Sequence, residues 1–489
     1  MIAKPASGDD VEALPGSLAE NDQGGFFMRQ PVSHSDDSEK PGFQTTVNGF
    51  LLQPGLPFAE VVTSEKIERI FQKHGGLFGE NGIFSTPIVL WAFLGQVLRD
   101  RKEASCKAAV AGIISFCLQV GRTAPTSDTG DYCRARAKLS KPALRELNSE
   151  IANDAEQQVD EAWLWKKRHA KLIDGLTFTM PDTVKNQAEF PHPRTQKKGV
   201  GLPIARSVAI LSLAIATVMD VVLGPYKGKE TGESALLRQM MASLVAGDVV
   251  VFDRYYCSFM MIALLLNQRV DVCARMHHLR HMDFRNGRRL GKYDHLIVWT
   301  RPDRPAWMDE KTYATIPETL ELRELRYAIV EKGKRTKSIT VVTTMTDVNA
   351  YTKEDIAELY GHRWSSELDI RSIKDSLNLG HVRCKSPEMV RIEFRTTILA
   401  YNLIRLTAAS AAIRSKQKPR TISFTSTCQF VHAGWAVHAS GLKSQEALRK
   451  ECDELLKRIA ECRVGDRPGR LTTTAYAPPP AHLTQEGVT

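Results

Sequence analysis

The feature that most constrains the fold is a change of pattern at His169. From there, AKLIDGLTFTM (170–180) is a short apolar run followed by alternation, the mark of a strand. VAILSLAIATV (208–218) and MDVVLGPYK (219–227) follow as two strands able to form a hairpin. ESALLRQMMASLVAG (233–247) reads as an amphipathic helix ending at Gly247. DVVVFDR (248–254) is a continuous apolar run, the pattern of a strand covered on both faces. SFMMIALLLNQ (258–268) then reads as a helix and VDVCARM (270–276) as a strand. Three strands, helix, strand, helix, strand predict an α/β fold, a mixed sheet with flanking helices.

The flanks differ. Residues 1–48 are rich in Ser, Gly, Pro, Asp and Glu and read as a disordered acidic leader. Residues 49–160 have apolar positions at three- and four-residue spacing and read as an N-terminal helical domain. The core's first part spans 161–276. Residues 277–340 read as a β-rich insertion, with HLIVWT (295–300), LELRELRYAI (320–329) and SITVVTTM (338–345) as strands. Helical pattern resumes over 341–412 as the core's second part. Residues 413–489 hold one more helix and a Pro-rich, loose tail.

Two acids end apolar strands: Asp174 closes AKLID and Asp253 closes VVVFD. A carboxylate after Val-Val-Val-Phe needs an explanation, because burying it unpaired is costly. Capping the following turn is one explanation; serving a site is another. A candidate partner stands at 360–374, where Tyr360, Arg363, Glu367 and Lys374 fall within a stripe of roughly 60° if the segment is one helix. A solvated, salt-bridged face has the same composition. Asp369 sits about 180° away and cannot share that stripe. With Asp174 and Asp253, Glu367 would complete a hard-oxygen set suited to Mg²⁺ or Mn²⁺. Two such ions about 4 Å apart activate a water or a 3′-hydroxyl and stabilise a phosphodiester's leaving oxygen. Arg363 and Lys374 would hold flanking phosphates, and Tyr360 would hydrogen-bond a phosphate or pack under DNA.

The bulk numbers agree with a soluble enzyme acting on a polyanion. Net charge is +10, and the first 48 residues carry −5 of it, three Lys/Arg against eight Asp/Glu, leaving a basic body. The insertion holds 14 Lys/Arg against nine Asp/Glu, clustered at Arg285, Arg288, Arg289 and Lys292 and at Lys332, Lys334, Arg335 and Lys337. Facing a DNA groove, such clusters would neutralise phosphates. No uninterrupted apolar run reaches the ~18 residues of a membrane helix. Nine cysteines without a CxxC read as reduced, mostly buried thiols of a cytoplasmic protein. GPYKGKETGE lacks the Ser/Thr of a P-loop. His277, His278 and His281 read as a solvated or phosphate-contacting loop rather than a metal site.

At these motifs the chain resembles the bacterial insertion-sequence DDE transposases of the IS-four family, with their Tyr-x2-Arg-x3-Glu-x6-Lys signature. Tyr360, Arg363, Glu367 and Lys374 match it at every position. LIDGLTFTMPDT and GDVVVFDRYYCSF resemble the contexts of the first and second acids, which implies Asp174 and Asp253 as metal ligands. Arg254, next to Asp253, is a further candidate DNA or phosphate contact. The resemblance implies a ribonuclease-H-like core split by the insertion, and an N-terminal domain that binds DNA ends. It implies cut-and-paste transposition with two Mg²⁺ ions: nicking, strand joining, a hairpin intermediate, and a homodimer bridging terminal inverted repeats and target DNA. It places the protein in the cytoplasm at the bacterial nucleoid. A structure-specific nuclease on the same core and a domesticated DNA-binding protein are the alternatives. The chain departs at one place: some relatives carry a Trp before the signature helix to stack on a flipped base, and Ile339 stands there here. Trp299, Trp307 and Trp364 are the possible substitutes.

Overall fold

The computed structural model describes residues 61–79, 82–99, 103–119, 123–193, 201–328, 338–438 and 445–464. The expected acidic leader, the second basic cluster and the expected loose tail from 465 onward lie outside them.

Among the described residues five helices come first: α1 (Ser64–Lys73), α2 (Thr86–Val97), α3 (Cys106–Gln119), α4 (Gly130–Arg136) and α5 (Lys141–Gln157). The start of α5 is fixed by Ser140, whose hydroxyl accepts the Ala143 N–H, and by Pro142 in the first turn. Strand β1 (Ala170–Thr179) leads to α6 (Val184–Glu189) and the hairpin β2 (Ile204–Ser212) and β3 (Val218–Pro225). Next come α7 (Glu233–Arg238), β4 (Val249–Phe252), α8 (Phe259–Asn267) and β5 (Asp271–Arg275). The helix expected over 233–247 is therefore shorter: it stops at Arg238, and a 3₁₀ turn follows at Met241–Ser243.

The insertion contributes β6 (Arg288–Gly291), β7 (Asp294–Thr300), α9 (Glu310–Ala314), β8 (Thr319–Ala328) and β9 (Ser338–Thr343). The chain continues as α10 (Lys353–Gly361), α11 (Arg363–Arg371), α12 (Pro387–Arg414), α13 (Phe424–His438) and α14 (Gln445–Glu461).

The nine strands among the described residues form one sheet, in the order β3-β2-β1-β4-β5-β9-β8-β7-β6. β1 runs antiparallel to β2 and parallel to β4, and β4 runs parallel to β5. That is a mixed sheet, and the fold class is α/β as expected. The insertion extends this sheet: β9 pairs antiparallel with β5, Cys273 opposite Thr343.

Strand alternation divides the core between two faces. Leu172, Leu176, Phe178, Val249 and Val251 meet α1, α2, α5, α10 and α12 on one face. Ile173, Val250 and Phe252 meet α7 and α8 on the other. This is why Val249–Phe252 carries no polar residue. Helix α12 is long and apolar enough to cross a membrane by composition, but 94% of its apolar window is buried inside the protein. Counting uninterrupted runs had missed it because its polar residues are spread through the sequence. All nine cysteines are free thiols; four are buried and five half-buried, fewer in the core than expected.

Candidate active site

The site begins where two parallel strands part. β1 and β4 stay paired up to Ile173 opposite Phe252. The next residues are Asp174 and Asp253. Beyond this point β1 stays paired with β2, and only at its far end does Thr179 bridge His381. The crevice beyond the carboxyl ends of parallel strands is the usual place for a ligand in an open α/β sheet.

Asp174 is held from three sides. Its Oδ1 accepts the Gly175 N–H at 2.9 Å, and its Oδ2 lies 2.7 Å from Ser366 Oγ and 3.9 Å from Arg363 Nη1. Burial pushes the Asp174 carboxyl above its ordinary range. The Ser366 hydroxyl, Arg363 and the Gly175 N–H oppose that shift, and the charge of Asp253 adds to it. Among the described residues, Asp253 has no hydrogen bond or ion pair to its carboxylate.

Glu367 comes from α11, one turn beyond Arg363. Arg363 Nη2 donates to Glu367 Oε1 at 2.6 Å while Nη1 faces Asp174, so one guanidinium spans the first and third acids. The Ser366 contact with Asp174 fastens α11 over β1, and Ser366 Oγ also lies 2.7 Å from the Arg363 carbonyl within α11. The signature is not one continuous helix as expected. α10 ends at Gly361, His362 joins it to α11, and Lys374 lies on a π-helical turn, Ser372–Ser376. The wider π-turn changes the angle per residue, so the 60° stripe fails for Lys374. Asp369 is buried and faces Arg405 Nη2 and Arg420 Nη1, each at 2.9 Å, away from the crevice as the geometry required.

Tyr360 is 4% exposed, packed beneath the site. Burial pushes its phenol up, and Arg363 and Asp253 are the charges it feels most. The Lys374 ammonium makes no ion pair among the described residues. Arg254, beside Asp253, has a buried Nε without a hydrogen-bond partner. Of the tryptophans, Trp299 is buried, with Nε1 on Glu324 at 2.9 Å and the Arg280 guanidinium over its ring. Trp307 and Trp364 are 37% and 39% exposed.

One acid escaped the sequence reading. Glu233, the first residue of α7, accepts a hydrogen bond from the Tyr256 hydroxyl at 3.1 Å. Burial pushes its carboxyl up; Tyr256 and Arg206 oppose the shift, and Asp174 and Asp253 add to it. In sequence Glu233 looked like the start of an amphipathic helix, and only its place between the third and fourth strands marked it.

The donor set suits a hard divalent cation, since Asp174, Asp253 and Glu367 offer carboxylate oxygens and no sulfur or imidazole. The unpartnered carboxylate of Asp253 beside the buried Asp174 fits such an ion. Among the described residues no three His, Cys, Asp or Glu side chains are gathered closely enough to hold one. In this arrangement Arg363 takes Glu367.

Residues 165–403 match the transposase DDE domain family. The chain is 25% identical over 389 residues to the transposase InsG for insertion sequence element IS4 of Escherichia coli strain K12, covering 78% of this chain and 83% of that protein. The family match and this identity support an IS4-family DDE transposase. A second relative of this transposase is the putative transposase InsZ of Escherichia coli strain K12, 27% identical over 139 residues, 28% of this chain and 44% of that protein. Among solved structures, a piggyBac transposase synaptic complex with hairpin DNA aligns with a TM-score of 0.40 at 10% identity, over 84% of each chain.

Proposed function

We propose that this transposase excises and inserts its element by cut-and-paste chemistry, with Asp174, Asp253 and Glu367 as the ligands of two Mg²⁺ or Mn²⁺ ions. The observation that carries the reading is the fastening of α11 to β1, Ser366 on Asp174 with Arg363 between Asp174 and Glu367. It brings the signature Glu, about two hundred residues downstream, to the strand of the first acid.

When bound, the ions supply the positive charge that activates a water or a 3′-hydroxyl and steadies the leaving oxygen. The chain's own residues do the rest. Arg363 releases Glu367 toward the crevice and is then free for a DNA phosphate. Arg254 and Lys374 offer further phosphate contacts, and buried Tyr360 supports the floor. The N-terminal helical region binds the terminal inverted repeats, and two copies bridge the two ends and the target DNA. Excision passes through a hairpin, which is reopened before the 3′ ends are joined to target DNA. Trp307 and Trp364, half-exposed, are the candidates for stacking on a displaced base.

The test uses the full chain, Mg²⁺ and DNA carrying the element's ends. Wild type gives joined product. Glu367→Ala binds ends with unchanged affinity and gives neither nicks nor joined strands. Cleavage by that variant sinks the assignment, and nicking without joining by wild type favours the nuclease.

A further inference from the structure

The acids at the parting strands have a neighbour on the opposite face of the sheet. Helix α7 begins with Glu233 and is fastened twice to the turn after Asp253: Tyr256 donates to the Glu233 carboxylate at 3.1 Å, and Ser234 Oγ donates to the Tyr255 carbonyl at 3.2 Å. Tyr256 is 1% exposed, so this clamp is part of the core. On the strand side, Glu233 lies against Gly175, the residue after Asp174. A Cβ at Gly175 would stand 2.6 Å from Glu233 Oε1, so a side chain added there would push the carboxylate aside. The missing side chain is what admits the carboxylate to the strand edge. No Lys, Arg or His among the described residues forms an ion pair with it.

We infer that Glu233 is a fourth carboxylate of the metal site, entering from behind β1 through the gap at Gly175 and aimed by Tyr256. A half-buried acid with no ion-paired cation is costly in the metal-free protein. Beside a divalent ion held by Asp174 it becomes a ligand, directly or through one of the ion's waters. Mg²⁺ and Mn²⁺ keep several waters when bound and accept carboxylates in either way. Tyr256 is then a positioning residue. The inference rests on the assignment of Asp174 and Asp253 as metal ligands, and the experiment separates the two.

The experiment titrates the full chain with Mn²⁺ alone, following free Mn²⁺ by electron paramagnetic resonance and the Mn²⁺-induced rise in Tm. Asp174→Asn is expected to abolish binding. Glu233→Gln, near-isosteric and able to keep the Tyr256 contact, is expected to weaken binding about tenfold or more and to shrink the Tm rise, with metal-free Tm unchanged or higher. Gly175→Ala, which displaces the carboxylate while leaving it charged, is expected to weaken binding likewise; Glu233→Asp is expected to restore part of it. Undiminished Mn²⁺ affinity in Glu233→Gln, with Asp174→Asn inactive in binding, overturns the role of Glu233 alone. Undiminished affinity in Asp174→Asn overturns the metal-site assignment beneath it.

Discussion

At the scale of residues, the joint of the signature carries a titratable group. His362 connects α10 to α11, and burial, with Arg420 and Lys418 nearby, pulls its imidazole down from 6.5 to about 4. The unfolded chain therefore binds a proton that the folded chain refuses between those values. Stability is present above about pH 6.5 and is lost as pH falls toward 4. Urea unfolding across this range should show wild type losing more stability than His362→Gln, whose curve lacks this component. Equal slopes would show that His362 is not held neutral. The same residue explains why the sequence reading misplaced Lys374: 3.6-residue periodicity carries no sign of a joint at His362 or of a π-turn, since both keep right-handed backbone angles.

At the scale of elements, much was legible because local burial dictates it. The run Val249–Phe252 could only be a strand covered twice, and an acid at its end violated the cost of burial, which pointed to Asp253. Glu233 was illegible, because its meaning depends on Gly175, a residue 58 positions away whose missing Cβ matters only once β1 and α7 meet. The joining of α12 to the sheet was equally hidden. Buried Asn402 on α12 accepts the Val218 N–H at 2.7 Å and donates to the Val218 carbonyl at 2.8 Å and to Asn148 Oδ1 at 2.9 Å. One amide thus ties α5, β3 and α12. Asn402→Leu strands these buried polar groups and should cost about 2–4 kcal/mol in denaturant unfolding, with no change in the slope expected from size.

At the scale of the whole molecule, the proposed DNA binding puts charge outside the crevice to the test. Arg288 and Arg289 are exposed on edge strand β6, with Lys292 exposed just after it. If they face DNA, each neutralises about one phosphate, and Arg288→Gln/Arg289→Gln/Lys292→Gln should lower the log–log salt slope of binding by about 2–3. Fluorescence anisotropy at several salt concentrations measures that slope; an unchanged slope would assign this cluster to solvent. Dimerisation and target choice belong to this scale too, and neither is written in one chain's local pattern.

The pairing of β5 with β9 has a further consequence. Arg275 lies opposite Val341, so the chain leaves the core and returns to it at adjacent positions, and everything between is an excursion with touching ends. Lengthening or trimming such an excursion leaves Asp253 and Glu367 where they are. The interval between the second and third acids is thus free to drift in length over evolutionary time. Spacing in sequence is a poor ruler for recognising distant kin of this enzyme, and the order of strands is a better one.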